Sequence, residues 1–263
     1  MAINTAEFIA DKLERKIAVL RIHDESSATP LTINGFTATS REFSPSPSGT
    51  RWKRDYQYLR GNRAYLKDRD ELEGIVKHVT GGWGDKEEAE GGSKWISTSG
   101  DLEWAIYEIA RRLSIFQRSE VELSLIKHEK FPRSFKGIKD IQVDPLPLLN
   151  RFLQNRQNGD KKLTQQAIHF ANASNEILYF GKIFPKFILE TTVWTYLTPG
   201  FELPEYFYKP RESWGVDECW INRLVWTPSE NLSYTEVKQR IEQRREVVRV
   251  EDETVNKMNE LKL

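Results

Sequence analysis

The sequence predicts an α+β fold that ends in a helical tail. Three features carry that expectation: short apolar runs of strand length, segments whose apolar residues recur at helical spacing, and a long charged stretch after residue 233. With 263 residues, 38% hydrophobic and 30% charged, the chain suits one large domain at 1–230 and an appended helix at 231–263. Eight Trp and thirteen Phe supply bulk for its core.

Taken in order, residues 5–16 read as a short amphipathic helix with Phe8, Ile9 and Leu13 on one side. Residues 17–22, IAVLRI, form an apolar run broken by one Arg, the mark of a buried strand. Gly, Ser, Thr and Pro crowd residues 34–50, which predicts a loop. Residues 67–79 read as helical, and the glycine-bracketed acidic run at 81–93 as a hinge. A strand at 94–97 is followed by a helix at 101–113, capped by Ser99 or Asp101, with Leu102, Ala105, Ile106, Ile109, Ala110 and Leu113 as its apolar stripe. A short strand at 138–143 leads into a Pro-opened helix. Residues 177–188 read as two strand pieces around Gly181 and Pro185, and residues 196–226 as irregular. The tail stripe holds Tyr234, Val237, Ile241, Val248, Val255 and Met258, interrupted by Arg244 and Glu251, and offers a surface for packing or self-association.

Composition narrows the function classes. The formal net charge is zero, so the whole-molecule field does not draw the chain to nucleic acid or anionic lipid. The basic, aromatic stretch at 51–63, RWKRDYQYLRGNR, could fit a nucleic-acid strand or a phosphate, and residues 111–139 also lean basic; a solvated face is the plainer reading. Cys219 is the single cysteine, which fits a reducing compartment, and a cytoplasmic location without a membrane partner is expected. The first residues lack a basic start followed by an apolar run, so no signal peptide is expected. The four histidines never pair at ligand spacing, so no metal site is expected. No glycine loop of nucleotide-binding form and no nucleophile motif occurs.

Three pieces stand in an informative order. LRIHDESS at 20–27 puts Arg21 near the end of a buried strand. KWISTSGDLEWAIYEIA at 94–110 ends a strand in Ser97-Thr98-Ser99 and opens a helix. SNEILYFGKIFPKF at 174–187 sets Glu176 at the mouth of a strand, with Gly-x-Ile five residues beyond. Arg, then Ser-Thr-Ser, then Glu in this order resembles the ADP-ribosyltransferases of the cholera and heat-labile enterotoxin type, and also an intracellular fungal family of enterotoxin-related domains.

The resemblance implies split mixed β-sheets with flanking helices, NAD as substrate, and a protein or nucleic-acid acceptor. NAD cleavage at the nicotinamide ribose passes through an oxocarbenium-like state, which a carboxylate stabilises; that role falls to Glu176. Arg21 would hold a phosphate or ribose oxygen. Ser97 would bond the ribose or orient Glu176, while Thr98 and Ser99 form the floor and cap the helix. Tyr179 and Trp95 are candidates for stacking on nicotinamide. His23 either touches the ligand or is a satisfied turn histidine. Where such toxins carry a Glu or Gln two residues before the catalytic Glu, this chain has Ser174, which leaves NAD hydrolysis, an unusual acceptor, or a silent module that binds a protein partner. Glu218, in WGVDECW, is a rival carboxylate without the Gly-x-Ile that follows Glu176.

Overall fold

In the computed structural model, which describes residues 5–39, 69–81, 92–128, 142–154, 161–216 and 218–260, every residue of the first strand, β1 (Ala18–His23), is buried. Burial on both faces follows from its nearly unbroken apolar sequence. The sheet around it runs in the spatial order β5 (Gln142–Val143), β6 (Glu176–Phe180), β3 (Trp95–Ser99), β1, β4 (Glu120–Lys127), β8 (Ile188–Thr195). A separate pair joins β2 (Phe36–Thr37) to β7 (Lys182–Ile183). Among the described residues every strand pairing is antiparallel, which corrects the expectation of mixed sheets within the α+β class.

The helices are α1 (Ala6–Glu14), α2 (Arg69–Thr80), α3 (Leu102–Ser114), α4 (Pro145–Gln154), α5 (Lys161–Ala173), the single-turn α6 (Trp220–Arg223) and α7 (Tyr234–Glu260). Alternation along the strands sorts three apolar clusters. Leu20, Ile22, Val121, Leu123 and Trp194 pack with α1, α3 and the start of α7. Trp95, Leu178 and Phe180 pack with α2, α4 and α5. On the opposite face Val19, Ile96, Ile126 and Tyr179 close against Phe36 and Ile183 of the small β2–β7 pair. The first two clusters share one face of the sheet, because Leu20 stands opposite Ser99 and Ser97 opposite Leu178. Ser97, Ser99 and Glu176 therefore lie on that face, along the seam between two helical blocks.

Several elements differ from the sequence reading. Of the two expected caps of α3, Asp101 is the one used, its carboxylate accepting the Trp104 amide at 3.0 Å, so Ser99 does not cap the helix. The 34–50 segment contains β2, reached through a tight turn at Gly35, whose φ of +82° and close approach to the Ile183 carbonyl exclude a side chain. Strand β4 and helix α5 were not expected, and β8 carries the chain to Thr195. The 196–226 stretch is irregular apart from short 3₁₀ turns and α6. Of the expected hinge, residues 82–91 lie outside the described residues, as does the whole 51–63 stretch.

The tail stripe divides in two. Tyr234, Val237 and Ile241 are buried in the same cluster as β1 and α3, and the Tyr234 hydroxyl donates to Asp101 at 2.9 Å. Arg244, expected to interrupt the stripe, is itself buried and donates to the Tyr208 carbonyl at 3.3 Å. Val255 and Met258 stay exposed. No helix among the described residues is long and apolar enough to cross a membrane.

Candidate functional site

The β1–β3 ladder begins at Leu20↔Ser99 and would continue to Ile22 opposite Ser97. It stops instead, and the Arg21 guanidinium takes the position of the missing strand partner. Its Nη1 donates to the Ser97 carbonyl at 2.8 Å and its Nη2 to the Thr29 hydroxyl, with the Phe36 ring 5.8 Å below. Alternation alone would set the Arg21 side chain on the face away from Glu176, since Leu20 shares the face of Ser99 and Ser99 stands opposite Glu176. Its charge nevertheless acts on Glu176 and on His78. Burial, then the neighbouring Arg112, lower its pKa to about 9, against the pull of Glu176 and Asp24.

Glu176 follows a sharp local device. Helix α5 ends at Ala173, Asn175 takes a left-handed conformation at φ 46°, and its carbonyl accepts the Gly100 amide at 2.9 Å. A Cβ on Gly100 would meet the Asn175 side chain at 2.6 Å, so glycine permits this approach. The turn delivers Glu176 into the seam with 1% of its surface exposed. Neither carboxylate oxygen has a hydrogen-bond partner of normal length. Burial pushes its pKa up to about 7, although the Ser97 hydroxyl and Arg21 both favour the charged form.

His78 of α2 completes the group. Its Nε2 lies 2.9 Å from Ser97 Oγ and its Nδ1 2.8 Å from Ser93 Oγ. Burial and Arg21 lower its pKa to about 3, so the ring is neutral at pH 7. When Glu176 is ionised, the Ser97 proton orients towards the carboxylate, His78 donates from Nε2 to Ser97, and Ser93 donates to Nδ1. Ser93 in turn accepts the Trp95 amide at 3.1 Å. One tautomer satisfies the whole chain.

The structure brings Arg21, Ser97 and Glu176 together and adds His78 and Thr29, which sequence reasoning missed. Neither lies in a motif: His78 carries only helical spacing and Thr29 only a loop position, so no local signal could have found them. The remaining candidates fall elsewhere. Thr98 donates to the Ile177 carbonyl at 2.7 Å, and Ser99 to the Ser174 carbonyl at 2.6 Å; both hold strands together. Tyr179 is buried on the opposite face, among Phe36, Ile96 and Ile126, and Trp95 stacks edge-on against Phe180 within its own cluster. Glu218 accepts the Gly215 amide at 3.0 Å within a local turn.

His23 sits in β1 rather than in a turn, satisfied on both nitrogens, by Ser124 at 3.0 Å and Glu122 at 3.0 Å. Ser124, His23 and Glu122 have the spacing of a nucleophile, base and orienting acid. However, Ser124 is fully buried and also shares a 2.7 Å hydrogen bond with Thr191, and burial with Arg21 drives the His23 pKa down to about 3. A covered hydroxyl beside so weak a base is a sheet-face network, not a reactive set.

Compared with known protein families the sequence matches no family model, and compared with curated proteins it finds no match.

Proposed function

We propose that the chain cleaves NAD at the bond between nicotinamide and ribose, passing ADP-ribose to water or to an acceptor. The observation that carries this reading is Glu176: a buried carboxylate whose pKa burial raises to about 7, with the Ser97 hydroxyl and the Arg21 charge acting on it and the neutral His78 behind Ser97. Native interiors rarely leave a carboxylate in that state without a use for it. As the glycosidic bond breaks, its electron pair leaves with nicotinamide and the ribose becomes cationic. Ionised Glu176 stabilises that cation, and can take the proton of the attacking water. Ser97, positioned by His78, keeps the carboxylate oriented, and Arg21 supplies positive charge for phosphate or ribose oxygens.

A second reading has observations of its own. Arg21 spends both terminal nitrogens on protein acceptors, and the cluster is almost entirely covered. Ser174, at the place where an acceptor-engaging residue would stand, is buried, and its hydroxyl donates to the Phe170 carbonyl at 3.0 Å. These features favour a silent module of the same ancestry.

Incubation with NAD, following free nicotinamide and mass gain on added protein or nucleic acid, separates the two. On the first reading nicotinamide is released, and Glu176→Gln slows release by about 10²–10³ with NAD affinity nearly intact. Arg21→Lys weakens NAD binding, and Glu218→Gln changes nothing. Absence of turnover by the unmodified chain with any acceptor overturns the first reading in favour of the second.

A further inference from the structure

Glu176, Ser97, His78 and Ser93 stand in single file from the interior towards the rim of the protein. Glu176 has 1% of its surface exposed and Ser97 7%, whereas His78 and Ser93 are half-buried. The Ser97 hydroxyl acts on the Glu176 carboxyl, and its Oγ lies 2.9 Å from His78 Nε2. On the other side of the ring, His78 Nδ1 lies 2.8 Å from Ser93 Oγ. Ser97, His78 and Ser93 can each give up one proton while taking another. The outer end is held in place, since Ser93 Oγ accepts the Trp95 amide at 3.1 Å and the Ser93 amide donates to the Thr39 hydroxyl at 2.8 Å.

The file has two self-consistent states that differ by one proton. With Glu176 ionised, the His78 ring carries its proton on Nε2. With Glu176 protonated, its hydroxyl donates to Ser97, Ser97 donates to Nε2, and the ring carries its proton on Nδ1, donating to Ser93. In passing from the protonated state to the ionised one, Glu176 gives its proton to Ser97 and Ser97 its own to Nε2. Nδ1 then gives its proton to Ser93, and Ser93 its own to water. One O–H bond is lost at Glu176, one is gained at solvent, and the imidazole is neutral in both states. Burial and Arg21 lower the His78 pKa to about 3, which disfavours an imidazolium midway. Arg21 of β1 acts on both Glu176 and His78, Arg112 of α3 and Asp24 act on Arg21, and Lys94 and Glu71 of α2 pair with each other at 3.9 Å. These charges set where Glu176 titrates; the file sets the path its proton takes.

We propose that Ser97, His78 and Ser93 are a proton relay connecting buried Glu176 with solvent, and that His78 changes tautomer each time Glu176 gains or loses its proton. Where Glu176 acts as a base, the relay carries away the proton it has taken, which makes His78 and Ser93 positioning residues of the same site. The relay rests on the burial and titration of Glu176, not on NAD, and is tested without NAD.

Nitrogen NMR of the histidine-labelled chain reads the tautomer, and carbon NMR of the labelled Glu176 carboxyl reads its titration. From about pH 4.5 to about 9, the His78 proton should move from Nδ1 to Nε2 with the midpoint of the Glu176 titration. In Glu176→Gln the ring should hold one tautomer throughout, as a purely structural histidine would. Ser93→Ala should keep the fold by circular dichroism and slow proton exchange at Glu176 by about 10², splitting its averaged resonance in two near the midpoint. Ser93→Thr, which keeps the hydroxyl, should restore the averaged resonance. A His78 ring that keeps one tautomer as pH rises, or one that swaps equally in Glu176→Gln, overturns the coupling. An averaged Glu176 resonance in Ser93→Ala overturns the relay. Either failure leaves the NAD reading standing, because nicotinamide release is measured separately.

Discussion

Arg112 and Glu176 are both buried and both ionisable, yet the protein treats them in opposite ways. Arg112 donates at 2.8 Å to Asp24 and at 2.8 Å to Glu108, with all three side chains buried. Asp24 is further held by the amide and hydroxyl of Ser26, and these bonds with Arg112 keep its pKa below the usual range although burial alone would raise it. This network ties the turn after β1 to α3, and every charge in it has a partner. Glu176 lies close by, coupled like Arg112 to Arg21, but its carboxylate has no bond of normal length. Buried charge that is paired on all sides is scaffold; buried charge whose partners do not offset its desolvation is strain held in reserve, and it raises a pKa instead of locking a structure.

The largest effect should come from breaking the paired side. Arg112→Met takes the buried partner from Asp24, leaves Glu108 to Arg111 alone, and should cost about 3–5 kcal/mol in denaturant unfolding. Adding Asp24→Asn and Glu108→Gln should return a good part of that loss, since the stranded charges go with them. If the single variant is as stable as the parent, the network is not scaffold.

Glu176→Gln should act in the opposite direction. The rise from 4.5 to about 7 corresponds to about 3 kcal/mol of strain at most once the carboxylate is ionised, so the variant should be more stable than the parent above pH 7. The pH dependence has a definite sign. Between 4.5 and about 7 the folded chain holds a proton at Glu176 more often than the unfolded chain does, so stability falls as pH rises through that window. The gap between variant and parent should therefore be absent below pH 4.5 and fully open above 7. His23 and His78, lowered from 6.5 to about 3, make stability rise with pH between those values, but they are common to both proteins and cancel in the difference. A gap that does not vary with pH would show that Glu176 has an ordinary pKa.

The smallest effect belongs to Ser97→Ala. It removes a hydroxyl that favours the charged carboxylate and should move the Glu176 titration upwards, by about 1 kcal/mol of lost interaction. Carbon NMR of the labelled side chain reads this directly. A downward move would mean that the hydroxyl instead stabilises the protonated acid.

The legible parts of the fold were those whose signals are local. Helix α3 showed itself by spacing and an acidic cap, and β1 by an apolar run. Strand β4 was less visible, because the alternation of Val121, Leu123 and Leu125 is short and set between the charged residues Glu120, Glu122 and Lys127. The tail showed the same limit. Its stripe reads alike before and after Arg244 and Glu251, but Tyr234, Val237 and Ile241 found a core to enter, whereas Val255 and Met258 extend past the end of it.

By itself the sequence determined the α+β class, the helix that follows Ser97-Thr98-Ser99, and the order Arg21, Ser97, Glu176, since each rests on neighbours a few residues apart. Only the tertiary structure decided that β1 and β3 part after Leu20↔Ser99, that Arg21 fills the gap by bonding a carbonyl 76 residues away, and that His78 stands behind Ser97. It also decided the state of Glu176. A side chain's charge depends on what has replaced water around it, and those groups come from β1, α2, β3 and the end of α5, which only folding brings together.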